Sequence, residues 1–411
     1  MKNLLNIASK GFVLFGLYIF IGIIIINTNN GGSLSNYSFF RFTVKPINVA
    51  SELLSKVRRK GITNMFRTDK IFDESVESLN HLSTDLFLVH TSALPKDGIR
   101  LINLRDDSQR KICDIPDELI DHNINSRHKV AIDIVGKRIL LFRDGGNKLA
   151  VLDFEGNVLV LKEYGFVLHH RIKINNGRIF CTVRRNKKIT SSSREVKDEG
   201  FVEFNLDGEI KQQFWMSEHL DQIAKLTSIS SLVGYTSSQD DPFHVNDVEL
   251  VCGSTFTEAN RLIDNDVLLS VRNFNTILQI RNDSVFRVFQ GKWNLQHDVD
   301  ILNDSTLSIF NNNSAGTYVG LCDKFHSSII NYNINTGLYN EFILPINHST
   351  RTEGQVQLLS DGSRVIEVQN HGLIVIYDKD GELIYSSHIR SKDGEYNEML
   401  NWAPILEFNP F

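Results

Sequence analysis

Cysteine is sparse in this 411-residue chain. The four are Cys113, Cys181, Cys252 and Cys322, and no two form a C-x-x-C pair. Zinc ribbons and thioredoxin-type redox motifs need such pairs, so neither is supported. Cys181 and Cys252 lie in apolar, strand-like runs, where a thiol packs as a small hydrophobe, and buried free thiols are expected. Seven prolines are too few for a Pro-rich scaffold, and 26 glycines without a fixed period exclude a collagen-like one. Positive charge is not in excess: 44 Lys and Arg against 49 Asp and Glu give a net charge of −5, without the basic surplus of a nucleic-acid binder. No G-x-x-x-x-G-K-[ST] occurs, so a P-loop is absent. What is present is 41% hydrophobic residues, enough to build a large core and to exclude disorder over the whole chain. The 26 phenylalanines and the β-branched content lean toward strands.

The longest apolar run covers residues 11–26, GFVLFGLYIFIGIIII, with Lys2 and Lys10 before it. Residues 4–8 extend it weakly toward the length of a membrane span. It ends in IIIINTNNGG without a small-x-small cleavage site, so an uncleaved signal anchor is expected. The rest of the chain would then lie on the periplasmic or luminal, extracytoplasmic side. A polar linker follows at residues 27–35. Residues 53–69 carry Lys56, Arg58, Arg59, Lys60 and Arg67, which read as a solvated helix face before they read as a lipid-phosphate contact. The expected organisation is a signal-anchor segment and linker at 1–36, a partly helical membrane-proximal region at 37–80, and a β-propeller at 81–411.

From about residue 80 short alternating apolar runs are separated by turns of the D/N-x-x-G type, such as DFEGN, NLDGE, NINTG and DKDGE. These hairpins recur in a larger unit. HKVAIDIVGKRILLF from His128, HRIKINNGRIFCTV from His170, HVNDVELV from His244, HDVDILNDSTLSIF from His297 and GQVQLLSDGSRVIEV from Gly354 align with one another. Each unit is a strand, a tight turn, a strand, and then a strand pair, which is the four-stranded blade of a propeller. A weaker unit at residues 85–115 brings the count to six. Residues 186–199 read as a polar loop insertion. Residues 217–234 read as an insertion with an amphipathic helix marked by Leu220, Ile223, Leu226 and Ile229. The fold class expected is all-β, a six-bladed β-propeller preceded by a transmembrane helix and a short helical linker.

The first strand of each blade lines the central channel, so residues at its start converge on one axial site. His170, His244 and His297 occupy that position in three units, and His128 does so in an earlier one. Arg272 lies in the second strand of the His244 unit, and a guanidinium fork matches the oxygens of a tetrahedral ester group.

The segments FHVNDVEL, NDVLLSVRNFNTILQI, QGKWNLQHDVDILNDSTLSIFNNN and GQVQLLSDGSRVIEV follow in this order. Together they resemble the bacterial arylsulfotransferase family of the PAPS-independent, periplasmic kind, over about residues 169–386. The resemblance implies a six-bladed propeller, in agreement with the count of units. It implies transfer of a sulfuryl group from an aryl sulfate ester to a phenolic or other hydroxyl acceptor through a sulfohistidine, without cofactor or metal. It makes His297 the nucleophile, His244 and Arg272 binders of the sulfuryl oxygens, and His170 a further binder or proton donor. His169, Asn246 and Asn311 are the further candidates for substrate contact. The chain departs from the family where an acid often follows the nucleophile strand, reading Phe310-Asn311-Asn312, and where Arg171 follows His170. The close cysteine pair of some members is missing.

Two other readings fit the same residues. One is a membrane-anchored, non-catalytic propeller that binds a glycan, peptide or protein in its funnel. The other is a metal-dependent hydrolase with His170, His244 and His297 as ligands, where metal held by those three would exclude sulfuryl transfer. Strand alternation turns Asp298 and Asp300 away from the side His297 faces. A carboxylate acid/base pair at Asp247 and Glu249 is discounted, because neighbours on one strand do not flank a bond from opposite sides.

Overall fold

A computed structural model of the chain describes residues 78–91, 98–120, 130–188, 195–226, 241–253, 262–314, 326–390, 397–398 and 400–410. The apolar run at 11–26, the basic segment at 53–69, His128, Ile229 and Cys322 lie outside them. Among the described residues no helix is long and apolar enough to cross a membrane. Cys113, Cys181 and Cys252 are free thiols.

Six antiparallel sheets follow one another along the chain. Four strands of period-two alternation, joined by tight turns, form each blade. Blade 2 comprises Val130–Val135, Arg138–Arg143, Lys148–Asp153 and Val158–Glu163, from the axis outward. Blade 3 comprises Val167–Asn175, Arg178–Lys188, Glu195–Phe204 and Ile210–Trp215. Blade 4 comprises Val245–Leu250, Val267–Val271, Thr276–Arg281 and Ser284–Gln290, and blade 5 comprises Val299–Asn303, Thr306–Asn311, Ser328–Asn333 and Tyr339–Ile343. Blade 6 comprises Gln355–Leu358, Arg364–Val368, Leu373–Tyr377 and Leu383–His388.

Blade 1 closes the ring. Its inner strand, Ile405–Leu406, comes from the C-terminal end of the chain and pairs with Phe87–Thr91, followed by Ile99–Asn103 and Gln109–Cys113. Leu79–Asn80 adds a fifth, outermost strand to blade 6, so blade pairing begins slightly ahead of residue 81. Both ends of the propeller are thus tied by ladder hydrogen bonds.

The apolar core is divided into six clusters, each shared by two neighbouring blades. Leu141 and Ala150 of blade 2, for example, pack with Leu101 of blade 1. The inner strands pose a separate problem, because their axial edges carry backbone groups that no further strand pairs. A polar side chain from the preceding blade engages that backbone at every junction. Thr91 donates to Val130 O, and Asp133 accepts from Ile174 N–H. Glu199 accepts from Val245 N–H at 2.6 Å, Asp247 from Val299 N–H at 2.8 Å and Asp298 from Val356 N–H at 2.8 Å. Glu367 accepts from Trp402 and Ala403 N–H, each at 2.9 Å. The acids of the inner strands are therefore part of what sets blade against blade.

One expectation is corrected. The polar stretch at 186–199 is not simply a loop: Arg184 to Lys188 pair with Glu199 to Glu195, extending the blade 3 hairpin. Asp198 anchors this extension by accepting from Arg185 Nε at 3.0 Å and from Ser217 Oγ at 2.7 Å. The helix expected over 217–234 is described only at Leu220–Leu226, where Leu220 and Ile223 pack onto the cluster between blades 3 and 4.

Candidate functional site

Strand geometry alternates successive side chains between two faces. At His170 that rule breaks. Thr182 pairs with His169 while Cys181 pairs with Ile172, so the strand bulges at His170 and Arg171. His170 takes a left-handed backbone, φ 57°. The His169 and His170 rings consequently lie against each other, centroids 3.7 Å apart and planes tilted by 36°, so both rings join the site. Among the described residues a left-handed residue also precedes the inner strands of blades 4, 5, 6 and 1, at His244 (φ 53°), Leu295 (φ 54°), Glu353 (φ 63°) and Trp402 (φ 50°). Such a conformation costs a non-glycine residue about 1–3 kcal/mol and persists only where its surroundings impose it.

The result is a cluster of rings at one end of the channel. His170 lies 5.2 Å from His244, 6.3 Å from His297 and 5.0 Å from Trp402, centroid to centroid. His169 lies 6.0 Å from His244. Arg272 is buried, and the turn at Arg272–Phe274 is fixed over the His244 loop by Arg272 N–H to His244 O and Asn273 N–H to Phe243 O, each at 3.1 Å. The sequence-predicted set His170, His244, Arg272 and His297 is therefore brought together, with His169 beside it.

Three of the imidazoles, those of His169, His244 and His297, have a defined partner on Nδ1. His169 Nδ1 is 2.7 Å from Asp144 Oδ1, and His244 Nδ1 is 2.7 Å from Asp241 Oδ2. His297 Nδ1 is 2.5 Å from Asn312 Oδ1. The Asn312 amide nitrogen donates to Thr350 O and Glu353 O, which leaves its oxygen as the acceptor. His297 therefore carries its proton on Nδ1 and a lone pair on Nε2, and that lone pair accepts Glu353 N–H at 3.1 Å. Burial, with the nearby charges of Arg272 and His244, holds His297 well below the ordinary histidine pKa. Burial also lowers His244, and Arg272 adds to this while Asp241 opposes it. Burial works against a charged Asp241, but the hydrogen bond and charge of His244, with Lys197 and His169, outweigh it and leave its pKa at about 2.

The profile of the arylsulfotransferase (ASST) family matches residues 160–390, which includes every one of these histidines and Arg272. The chain belongs to this family. A search of curated proteins gave no match. Among solved structures, the chain is similar to a protein of unknown function from Bacteroides caccae, at 11% identity and a TM-score of 0.46, covering 74% of this chain and 93% of that one. It is also similar to a virginiamycin B lyase from Staphylococcus aureus, at 12% identity and a TM-score of 0.37, covering 64% of this chain and 71% of that one. A third likeness is to a nidogen/laminin complex, at 11% identity and a TM-score of 0.43, covering 80% and 100% of the two chains. At these scores the likenesses bear on neither reaction nor substrate.

In this arylsulfotransferase-family chain the departure at Phe310-Asn311-Asn312 has a clear local consequence. Asn312, not an acid, fixes the His297 ring. Asn311 instead accepts from Asn294 N–H at 2.8 Å and donates to Ser328 Oγ at 3.0 Å, so its amide serves blade 5 itself. Asn246 donates to Gln296 O at 2.7 Å. Asn312→Ala removes the acceptor that fixes the His297 tautomer. A lost buried hydrogen bond of about 1–3 kcal/mol corresponds to roughly a 5- to 150-fold fall in kcat, measurable by steady-state kinetics on a chromogenic aryl sulfate. A rate within twofold of the parent would show that Asn312 does not set the ring.

Below the rings the channel is filled by ion pairs. Arg171 reaches across from blade 3 to contact Asp298, with Asp247 at 3.6 Å. One layer further, Lys173 contacts Glu249 and Asp300, each at 2.6 Å. Burial pushes Asp133, in blade 2, up to about 6. Asp247, Glu249, Asp298 and Asp300 thus belong to a ladder that floors the site. They provide neither an acid/base pair nor a carboxylate ligand beside His297.

Several site residues were not singled out from sequence: Asp144, Asp241, Asn312, Glu353 and Trp402. Glu353 and Trp402 carried one usable signal, because each precedes an inner strand as His244 does. Asp144 carried none, since it acts through the fold on a histidine of the next blade, whereas Asp241 lies only three residues before the histidine it holds.

Proposed function

We propose that the axial site transfers a sulfuryl group from an aryl sulfate ester to a hydroxyl acceptor, with His297 as the nucleophile. The observation that carries this reading is the fixed His297 tautomer, with its proton on Nδ1 and its Nε2 lone pair held by the Glu353 N–H, near the charge of the buried Arg272 guanidinium. Family membership supports it.

In the first half-reaction His297 Nε2 attacks sulfur. The N–S bond forms, the S–O bond to the aryl group breaks, and its electron pair leaves with the phenolate, which takes a proton from water. In the second half the acceptor oxygen attacks sulfur, loses its proton to water, and the N–S electron pair returns to Nε2. Arg272 holds the sulfuryl oxygens through its guanidinium, and His244 and His170 line the position they take. The Glu353 N–H must release Nε2 before attack. Glu353 (φ 63°) and Gly354 (φ 100°) form the turn that has to shift when donor binds. At Gly354 a Cβ would meet the Phe310 ring at 2.7 Å, so only glycine fits that turn as it stands. We place the reaction on the extracytoplasmic side of a membrane, on the strength of the apolar run at 11–26.

Two measurements test the reading. Without acceptor, a chromogenic aryl sulfate should give a burst of phenol close to one equivalent of enzyme, followed by slow turnover that acceptor accelerates. A linear release with no burst, or folded protein with no release from a range of aryl sulfates, would favour a binding funnel without catalysis. The second is the pH profile. The attacking form is neutral, and His297 is held well below the usual histidine value. The acid limb of kcat/KM therefore falls below about pH 6.5, with a level rate through neutrality. A limb at or above pH 7 would assign the essential titration to another group.

A further inference from the structure

We propose that His169, His170 and His244 form a binding site for one divalent transition-metal ion of the Zn²⁺ or Co²⁺ class. The inference does not depend on sulfuryl transfer, since His297 lies outside the set. The metal alternative read from sequence grouped His170 and His244 with His297. Among the described residues, the ring nitrogens that come within 4.8 Å of one another are those of His169, His170 and His244.

Three features converge on a cation. The first is that the backbone is forced to make the cluster. Left-handed residues at positions 170 and 244, and a strand bulge, put three imidazoles on one side where alternation would separate them. The second is the polarity of the ring partners. Carboxylates stand behind two of the three rings, Asp144 on His169 Nδ1 and Asp241 on His244 Nδ1, both at 2.7 Å. A carboxylate on one ring nitrogen fixes the tautomer that presents the other nitrogen's lone pair, and it raises that nitrogen's basicity. This is the usual support of a metal-bound histidine. His297 differs: its ring is backed by a neutral amide.

The third feature is charge. Asp144 and Asp241, each against a ring of the cluster, balance a dication. Arg272 opposes the cation. An anionic fourth ligand, such as hydroxide or a sulfate ester oxygen, offsets that charge. A tetrahedral ion at about 2.0–2.1 Å from each nitrogen spaces them about 3.4 Å apart, so the rings need to draw in by roughly an ångström. Three imidazoles leave the fourth position for solvent or substrate. If the site also transfers sulfuryl groups, the ion would stand beside Arg272 as a second positive charge for the sulfuryl oxygens.

The test uses untagged full-length protein, stripped with chelator and dialysed against Co²⁺ or Zn²⁺ alone. We expect one ion per chain by elemental analysis and visible Co²⁺ absorption of tetrahedral intensity. Affinity should fall at least tenfold in His244→Ala and in His169→Ala, and about 10- to 100-fold in Asp144→Asn, which keeps the shape but removes the charge. Circular dichroism and melting would confirm that the variants fold. Absence of a stoichiometric ion at tens of micromolar metal would overturn the inference, as would binding unchanged in a folded His169→Ala/His244→Ala double variant. Neither result bears on sulfur labelling of His297, which is measured on chelated protein.

Discussion

His297→Ala should lower kcat/KM for an aryl sulfate by about 10⁴-fold or more, which is the scale for removing a covalent nucleophile. Arg272 and the remaining imidazoles bind the donor and stabilise developing charge, but none replaces the electron pair that enters sulfur. Donor binding should survive, because the oxygen-binding groups are still present. A competition assay with a non-hydrolysable aryl sulfonate should show affinity within a few-fold of the parent. The contrast with Asn312→Ala is informative: that variant keeps the nucleophile and loses only its orientation. If His297→Ala retained a tenth of the activity, the nucleophile would have to be sought among His244 and its neighbours.

The largest effect on stability is expected at Arg171. Its guanidinium spans the channel from blade 3 to Asp298 in blade 5 and approaches Asp247 in blade 4. Asp298 and Asp247 each also accept a backbone N–H from the next blade. Arg171→Ala leaves two buried carboxylates without their cation, next to Glu249 and Asp300. Removing one partner of such a buried pair costs about 3–5 kcal/mol. In a domain of this size that lowers Tm by roughly 4–7 °C, measurable by calorimetry. Combining Arg171→Ala with Asp298→Asn should recover part of the loss, since the amide still accepts Val356 N–H but carries no charge. A folded Arg171→Ala variant with an unchanged Tm would show that the ladder fills the channel without holding the blades.

The blade repeat was legible because each strand alternates with period two and each hairpin ends in an Asx- or Gly-bearing turn. The histidine set was legible because the repeat puts His170, His244 and His297 at one position, and the fold brings those positions to one axis. What the spacing of residues does not encode is contact between blades. Asp144 belongs to a blade 2 turn yet orients His169 of blade 3. Arg171 looked out of place after His170, and its partners are on blades 4 and 5. The stretch at 186–199 was read as a loop because its residues are polar. It continues a hairpin because Asp198 anchors both strands and solvent accepts the remaining side chains. The pairing of His169 with His170 was equally hidden, because a left-handed bulge residue breaks the alternation from which facing is inferred.

The central claim is that His297 carries the sulfuryl group. Its most direct test is the intact mass of the chelated full-length protein after mixing with an aryl sulfate in the absence of acceptor. The account predicts one adduct of about 80 Da, the mass of SO₃, lost on adding a phenol and absent from His297→Ala. An adduct that persists in His297→Ala, or phenol turnover by the parent with no adduct at any time, would contradict it.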